Sequence, residues 1–354
     1  MRRRRRMRRI RLLARAAILL GAALALTAPL SAQAADPAPS ATGYSATTSV
    51  GVHNAYLQET FPYFADALDS GAGMLELDVW TNFFGSGWRV AHDNPFGNAN
   101  NCENASSADQ FGTRARNQSF AGCLNDLRAW HDANPGHRPI LLKIEMKDGF
   151  AANLGRGPAQ FDALVNGALG DAVFGPGDLT GDHATLDEAV RAGGWPSRDE
   201  LAGKFLIHLI PGTVEEGNPF DSLWTDVEYG RHLRDSAAAG TLGTTTAFPA
   251  VHGAEAGDPR VTRYADATLR PWFVVFDGDA TAYTTGVDLD WYADRGYLVV
   301  MTDAHNVPPA ISATNPTEAQ AAARTAELAA AGASVVSSDW HSLPAVLGTV
   351  LPRG

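Results

Sequence analysis

Two acidic residues alternate with apolar residues in a short segment of the chain. Residues 74–79 are Met-Leu-Glu-Leu-Asp-Val, so in a β-strand Glu76 and Asp78 share one face and the apolar side chains share the other. Two carboxylates on an inward face would repel each other and lose hydration, and a divalent cation would remove both costs. The pattern predicts either a metal-binding strand or an edge strand with two solvated acids.

A histidine follows these acids at short range. Residues 88–92 form a second strand-like run that ends at His92, and only eight residues, 80–87, separate it from the first run. A parallel crossover needs about a dozen residues or more, so we predict a hairpin that turns near Gly85. A register centred on Gly85 places His92 opposite Asp78, whereas a shift by one residue would turn His92 to the other face.

A charged face recurs on a third segment, residues 140–147. Its alternate positions are Lys143, Glu145 and Lys147, and the positions between them are apolar. Charges on the inward face of a central strand are costly unless they serve a site. An earlier apolar run ends in the pair His53-Asn54. Three consecutive predicted strands and one hairpin therefore supply polar side chains to a single site.

The residue types of this site suit phosphodiester chemistry. Asn54, Glu76, Asp78 and Glu145 offer oxygen ligands, which favour a hard cation, Ca²⁺ before Mg²⁺. Zinc is less suited, because only two histidines are among the candidate residues and no thiolate is free. Two imidazoles, a cation and lysine ammonium groups could deprotonate an attacking hydroxyl, protonate a leaving oxygen and neutralise the charge of the transition state.

Six residues carry a family resemblance. They are, in chain order, His53, Asn54, Glu76, Asp78, His92 and Glu145. This set resembles that of the calcium-dependent phosphoinositide-specific phospholipases C, most clearly over residues 50–147. The resemblance implies a TIM-like (β/α)₈ barrel in which the two histidines are catalytic and the other four residues bind Ca²⁺. We add Lys143 and Lys147 as candidate phosphate-binding residues.

The resemblance also implies an activity and a substrate. The expected reaction cleaves phosphatidylinositol between glycerol and phosphate, which gives diacylglycerol and inositol (cyclic) phosphate. We expect the enzyme to bind its phospholipid substrate at a membrane surface. We also expect the protein to be a monomer. A signal peptide followed by a single domain is similar to the secreted bacterial branch of the family.

Two other functions compete with this one. Glu76-Leu-Asp-Val and Val90-Ala-His-Asp also resemble the glycerophosphodiester phosphodiesterases, which share the barrel. That family begins with His-Arg-Gly and carries a later Glu-Asn-Thr, whereas His53 is followed by Asn-Ala-Tyr and no Glu-Asn-Thr occurs. A non-catalytic binding barrel is the third possibility, but it would not need both histidines.

The elements that position these residues alternate along the chain. Strand-like runs occupy residues 49–53, 74–79, 139–147, 205–210, 247–252, 272–277, 297–302 and 334–338, and helical patterns occupy 61–70, 120–133 and 316–331. Eight strands that alternate with helices predict a (β/α)₈ barrel, with a doubly wound sheet as the lesser option. In a barrel, polar residues at the C-terminal ends of strands face the active site.

Several other polar and aromatic residues are weaker candidates for the site. His208, Asp277, Asp303 and His305 lie near predicted strand ends and either line a pocket or form structural hydrogen bonds. Phe83, Phe84, Trp88 and Phe96 lie on or beside the hairpin, where they either meet lipid or pack the hairpin against the barrel.

The first 35 residues have the pattern of a secretory signal peptide. Nine arginines lie between Arg2 and Arg15, an uncharged apolar run follows, and Ala32-Gln-Ala34 matches a small-x-small cleavage site. We expect cleavage after about Ala34, a secreted catalytic domain over residues 36–354, and no transmembrane segment in it. Removing nine of the 28 basic residues leaves 19 against 39 acidic ones, a net charge of −20. This charge argues against nucleic acid as a partner and against a polybasic attachment to anionic lipid.

Cys102 and Cys123 are the two cysteines of the chain. In an exported protein, an even pair predicts a disulfide. The bridge would close a loop of about 20 residues and contribute about 3 kcal/mol in the chain-entropy model. A metal site is the alternative, but it lacks further cysteine ligands.

Overall fold

The structure is a computed structural model that describes residues 43–354 except 82–84, 86, 95, 98 and 222. The predicted signal peptide, residues 1–35, lies outside the described residues, as do Phe83 and Phe84. The domain boundary after residue 35 stays a prediction.

Ten strands form one sheet. They are β1 Thr47–Val52, β2 Met74–Thr81, β3 Trp88–Val90, β4 Ile140–Met146, β5 Phe205–Pro211, β6 Phe248–His252, β7 Val275–Asp279, β8 Leu298–Thr302, β9 Val335–Ser338 and β10 Val350–Pro352. Eight of them run parallel, and β1 pairs with both β2 and β9, which closes a barrel. The short strands β3 and β10 pair antiparallel with β2 and β1. The predicted (β/α)₈ barrel is confirmed, and the doubly wound sheet is not formed.

Helices surround the barrel. They are α1 Phe64–Asp69, α2 Phe120–Ala133, α3 Pro158–Leu169, α4 Pro176–Thr180, α5 Leu186–Ala192, α6 Thr213–Glu216, α7 Thr225–Ala238, α8 Pro259–Arg263, α9 Ala280–Tyr283, α10 Asp290–Ala293, α11 Glu318–Ala330 and α12 Pro344–Leu347. Helix α2 has the predicted bounds because Ser119 accepts a hydrogen bond from Gly122 N and so caps the N-terminus. Within the described part of the chain, none of the helices combines the length and the apolar character required to cross a bilayer.

Two neighbouring strands of the barrel, β2 and β4, carry buried charged residues. Every residue of β2 is buried, including Glu76 and Asp78, so these acids face the interior and are not solvated. The edge-strand interpretation of this segment is therefore wrong. The parallel register pairs Glu76 with Lys143 and Asp78 with Glu145, so the charged residues of β2 and β4 lie side by side.

The hairpin forms, but its register differs from the predicted one. Strand β3 pairs Val90 with Val79 and Trp88 with Thr81, and Ala91 N donates to the carbonyl oxygen of Asp78 at 3.2 Å. The pairing is therefore shifted by one residue, and Ala91 rather than His92 lies opposite Asp78. The strand ends at Val90, so His92 belongs to the following loop and the alternation of strand faces does not fix its orientation.

The cysteine prediction is confirmed. Cys102 and Cys123 form a disulfide with their Cα atoms 5.0 Å apart. The bond ties the loop after the hairpin to the first turn of α2, and both cysteines are buried. The cross-link therefore holds an irregular loop against α2.

Candidate active site

A cavity of about 150 Å³ opens at the C-terminal ends of the barrel strands. Its polar lining includes His53, Glu76, Lys143, Glu145, His252 and Asp303. These residues come from several different strands or the loops that follow them, because in a parallel barrel all strand ends converge on one mouth. A cavity of this size has room for a phosphate group and a few water molecules.

Three carboxylates form the centre of the site. Ligand oxygens of Glu76, Asp78 and Glu145 all lie within 4.8 Å of one another. Glu76 and Asp78 are each 2% exposed, and Glu145 is half-buried at the cavity wall. Burial, followed by the negative charges of Glu145 and Glu76, raises the pKa of Asp78 to about 8. The cluster therefore lacks sufficient positive charge when no metal is bound.

Two buried oxygens, one on a cluster acid and one on the neighbouring Asn54, have no described hydrogen-bond partner. Asn54 Oδ1 and Asp78 Oδ1 accept no hydrogen bond from any residue that the structure describes. Asn54 has a φ angle of 53°, in the left-handed region, and its backbone N–H donates to Glu76 Oε2 at 3.1 Å. Unsatisfied amide and carboxylate oxygens next to three acids are the donor set that a hard cation prefers. The four residues predicted as ligands therefore fit a calcium ion.

The two lysines bind carboxylates of this site. Lys143 Nζ lies 3.2 Å from Glu76 Oε1 and 3.2 Å from Asp277 Oδ1. Lys147 Nζ lies 3.2 Å from Asp78 Oδ2 and 2.8 Å from Glu145 Oε1. Only Lys143 belongs to the described lining of the cavity. The phosphate-binding role of both lysines stays a prediction.

His53 follows β1 and is held between two carboxylates. Its Nδ1 lies 2.8 Å from Asp339 Oδ1, and its Nε2 lies 3.5 Å from Glu76 Oε2. Burial lowers the pKa of His53, but Glu76 and Asp339 outweigh this effect and raise it to about 9. The protonated ring donates from Nδ1 to Asp339, which fixes the ring orientation and leaves Nε2 toward the cluster.

His92 is placed differently from His53. Its Nδ1 donates to Asp93 Oδ1 at 2.6 Å, and its side chain is 43% exposed. His92 is not part of the described lining of the cavity that contains His53. The hydrogen bond to Asp93 nevertheless leaves Nε2 as the ring nitrogen that can deliver or accept a proton. The catalytic role of His92 stays a prediction.

A second layer of polar residues supports the first from the far side of the barrel. Asp277 is fully buried, and its Oδ2 lies 3.0 Å from Nε2 of the equally buried His208. Burial raises the pKa of Asp277, but Lys143 and His208 outweigh it and hold this pKa well below its usual range. Of the weaker candidates, Asp277 is thus a structural partner of Lys143, His208 is a partner of Asp277, and Asp303 lines the cavity.

Sequence reasoning missed two residues of the site. Asp339 follows β9 directly and His252 ends β6, where its Nδ1 lies 2.9 Å from Glu216 Oε1. Both occupy the position at which a barrel strand presents polar residues to the mouth. That positional signal was available for Asp339 in the sequence Ser337-Ser-Asp-Trp.

A (β/α)₈ barrel with an acidic cluster and a carboxylate-bound histidine at its mouth is suited to metal-assisted catalysis. A family model described as phosphoinositide phospholipase C, Ca²⁺-dependent, matches residues 108–221. A solved Ca²⁺-dependent phosphatidylinositol-specific phospholipase C from Streptomyces antibioticus is 68% identical, with a TM-score of 0.87, over 89% of this chain and 100% of that chain. The chain therefore belongs to the family of calcium-dependent phosphoinositide-specific phospholipases C.

A more distant structure shares the fold. A calcium-dependent phosphoinositol-specific phospholipase C from a Gram-negative Pseudomonas species is 21% identical, with a TM-score of 0.64, over 90% of this chain and 97% of that chain. No curated protein sequence matches the chain.

Proposed function

We propose that this protein is a calcium-dependent phosphatidylinositol phospholipase C that releases diacylglycerol and inositol (cyclic) phosphate. The observation that carries the proposal is the cluster of Glu76, Asp78 and half-buried Glu145, with unsatisfied oxygens on Asp78 and Asn54, in a chain 68% identical to a Ca²⁺-dependent phosphatidylinositol-specific phospholipase C. The glycerophosphodiester phosphodiesterase and the non-catalytic barrel have no observation of their own in their favour.

Asn54, Glu76, Asp78 and Glu145 are the proposed ligands of Ca²⁺. A bound calcium ion would lower the pKa of a substrate hydroxyl and neutralise charge on the phosphate. Four protein oxygens leave positions for substrate oxygens and water in the coordination of six to eight oxygens that calcium prefers. The amide and the three carboxylates come from β2, β4 and the residue pair after β1, so the barrel fixes their positions before substrate arrives.

The inositol 2-hydroxyl is the proposed nucleophile. Glu145 is the proposed base, because it lines the cavity and its side chain is 14% exposed, against 3% for Glu76. His53 donates from Nε2 to a phosphate oxygen while Asp339 holds Nδ1. His92 delivers a proton from Nε2 to the departing diacylglycerol oxygen. Lys143 and, once it is released from its carboxylates, Lys147 provide positive charge for the phosphate.

An intramolecular nucleophile determines the order of the products. Attack by the neighbouring hydroxyl closes a cyclic phosphodiester and breaks the bond between phosphorus and the glycerol oxygen. Water then opens the ring in a second step. The cyclic product forms first, because the hydroxyl is held next to the phosphorus and water is not.

Exposed apolar side chains in the segments that follow barrel strands are the proposed contacts with a membrane that holds the substrate. The large apolar side chains that are exposed among the described residues lie in segments after the C-terminal ends of barrel strands: Phe96, Leu154, Val214, Phe220 and Val261. Phe220 is 95% exposed and is the largest apolar contact that this set offers to a lipid surface. We further propose a monomer that is secreted after cleavage near Ala34.

One assay separates this function from its rivals. Phosphatidylinositol, glycerophosphoinositol and glycerophosphocholine are each supplied with Ca²⁺, with Mg²⁺ or with excess chelator. We expect phosphatidylinositol to be cleaved fastest, and only with Ca²⁺. Faster cleavage of glycerophosphodiesters that lack inositol would favour the glycerophosphodiesterase, and no cleavage of any substrate would favour a binding barrel.

A further inference from the structure

Lys147 bridges two carboxylates of the acidic cluster. Its ammonium group contacts Asp78 Oδ2 at 3.2 Å and Glu145 Oε1 at 2.8 Å, and the residue is 7% exposed. Both carboxylates belong to the three whose oxygens lie within 4.8 Å of one another. The ammonium group thus binds two of the acids that a divalent cation would bridge.

Lys143 differs from Lys147 in its second partner. One of its two carboxylate contacts is Asp277, which lies outside the cluster and is held by His208. If a cation binds Glu76, Lys143 still has the buried carboxylate of Asp277 as its counter-charge. Lys147 has no described carboxylate partner outside the cluster, so the same event removes both of its contacts.

The backbone of Lys147 is held by its neighbours independently of the two ion pairs that the side chain makes. Its N–H donates to Val79 O at 2.8 Å, and its carbonyl oxygen accepts from Glu215 N at 2.9 Å. Gly212 packs so closely that a Cβ there would lie 2.4 Å from Lys147 Cα. Displacement of the ammonium group is therefore a rotation of a flexible four-carbon side chain and needs no backbone movement.

We propose that Lys147 is an internal cation of the metal-free enzyme, which holds Asp78 and Glu145 together until a divalent cation displaces its ammonium group. Calcium binds carboxylate oxygens at about 2.3–2.6 Å, and it needs the oxygens that now accept hydrogen bonds from Lys147. Lys147 thereby sets the calcium concentration at which the site fills, and it protects the empty site from the repulsion of its acids. This inference rests on the proposed calcium function.

Charge removal at Lys147 tests the competition. Lys147→Met keeps most of the stem and loses the charge, whereas the control Lys147→Arg keeps the charge. By calorimetric titration with CaCl₂, we expect Lys147→Met to bind Ca²⁺ at least about tenfold more tightly than wild type, and Lys147→Arg to bind it equally or more weakly. In chelator, Lys147→Met should unfold at a lower temperature than wild type. Unchanged or weaker calcium binding by Lys147→Met would overturn the inference.

The wild-type chain provides a second test that does not depend on the folding of a variant. Amine acetylation at low reagent concentration, followed by peptide mass spectrometry, reports the accessibility of each lysine. We expect saturating Ca²⁺ to increase the modification of Lys147 several-fold and to leave Lys143 protected. Modification of Lys147 that is unchanged or reduced by Ca²⁺ would overturn the inference. If wild type bound no calcium in the titration, the proposed function itself would fail, which is a distinguishable result.

Discussion

Replacement of Asp78 by asparagine tests the acidic cluster without a change in side-chain shape. Carboxylate oxygens of Asp78, Glu76 and Glu145 lie within 4.8 Å of one another. Asp78 Oδ2 also lies 3.2 Å from Lys147 Nζ. At an effective dielectric constant of about 20, the repulsion of Asp78 by each of the other two acids costs about 3.5 kcal/mol. Its attraction to Lys147 contributes about 5 kcal/mol. The amide removes all three, so the metal-free variant should be more stable than wild type by about 2 kcal/mol.

The predicted effect reverses when calcium is added. The asparagine amide of the variant carries no charge, and calcium affinity depends on the number of charged ligands, so we expect binding to weaken by about 100-fold or more. Wild type should then gain stability from Ca²⁺ while the variant gains little, because a ligand stabilises only the state that binds it. Turnover should fall with the loss of bound calcium.

The assay is urea unfolding of both proteins in chelator and in saturating Ca²⁺. A pH of about 9 keeps the wild-type carboxylate ionised, because the pKa of Asp78 is raised to about 8 in the metal-free form. Asp126→Asn is the matched control. Asp126 is a buried acid outside the cluster that accepts hydrogen bonds from Glu103 N and Ala105 N, so its loss should destabilise both forms equally. A metal-free Asp78→Asn that is less stable than wild type, with an unchanged calcium effect, would refute the reasoning.

Three further predictions concern the histidines and the disulfide. His53→Ala and His92→Ala should each lower kcat by about 10²–10⁴ in the phosphatidylinositol assay while the protein stays folded by circular dichroism; an unaffected kcat would exclude the residue from acid–base chemistry. Burial lowers the pKa of His137 to about 4. Between about pH 6.5 and 4 this histidine is therefore neutral in the folded state and protonated in the unfolded chain. Its contribution to stability should therefore fall by about 1 kcal/mol from pH 6.5 to 5, and His137→Gln should show a smaller fall; equal slopes would contradict this. Replacement of both Cys102 and Cys123 by alanine should reduce the free energy of unfolding by about 3 kcal/mol in urea titration, and no reduction would show that the bridge is not needed.

Local alternation was sufficient to locate the acids of the site. The polar positions of β2 and β4 follow a period of two, and the parallel register brings Asp78 beside Glu145 without any turn geometry being known. The residue pair His53-Asn54 was located by its place at the end of a strand. The positions of the acids and of His53-Asn54 depend on the local alternation of residues and on the convergence of strand ends in a barrel. The sequence pattern predicts both.

Long-range partners and the hairpin register could not be read in the same way. His53 pairs with Asp339 across 286 residues, and Lys143 pairs with Asp277 across 134. Sequence patterns locate each strand end but do not say which charged groups meet across the mouth. The hairpin register depends on the conformation of its turn, and a difference of one residue moved His92 away from its predicted partner.

We propose that calcium held by the acidic cluster enables an inositol hydroxyl to cleave the phosphodiester bond. Phosphorus NMR of phosphatidylinositol vesicles during turnover follows the substrate, the cyclic phosphate and the open phosphate in one experiment. We expect the cyclic signal to appear before the open one, both signals to require Ca²⁺, and chelator to stop them. Cleavage in excess chelator, or open inositol phosphate without a preceding cyclic signal, would contradict it.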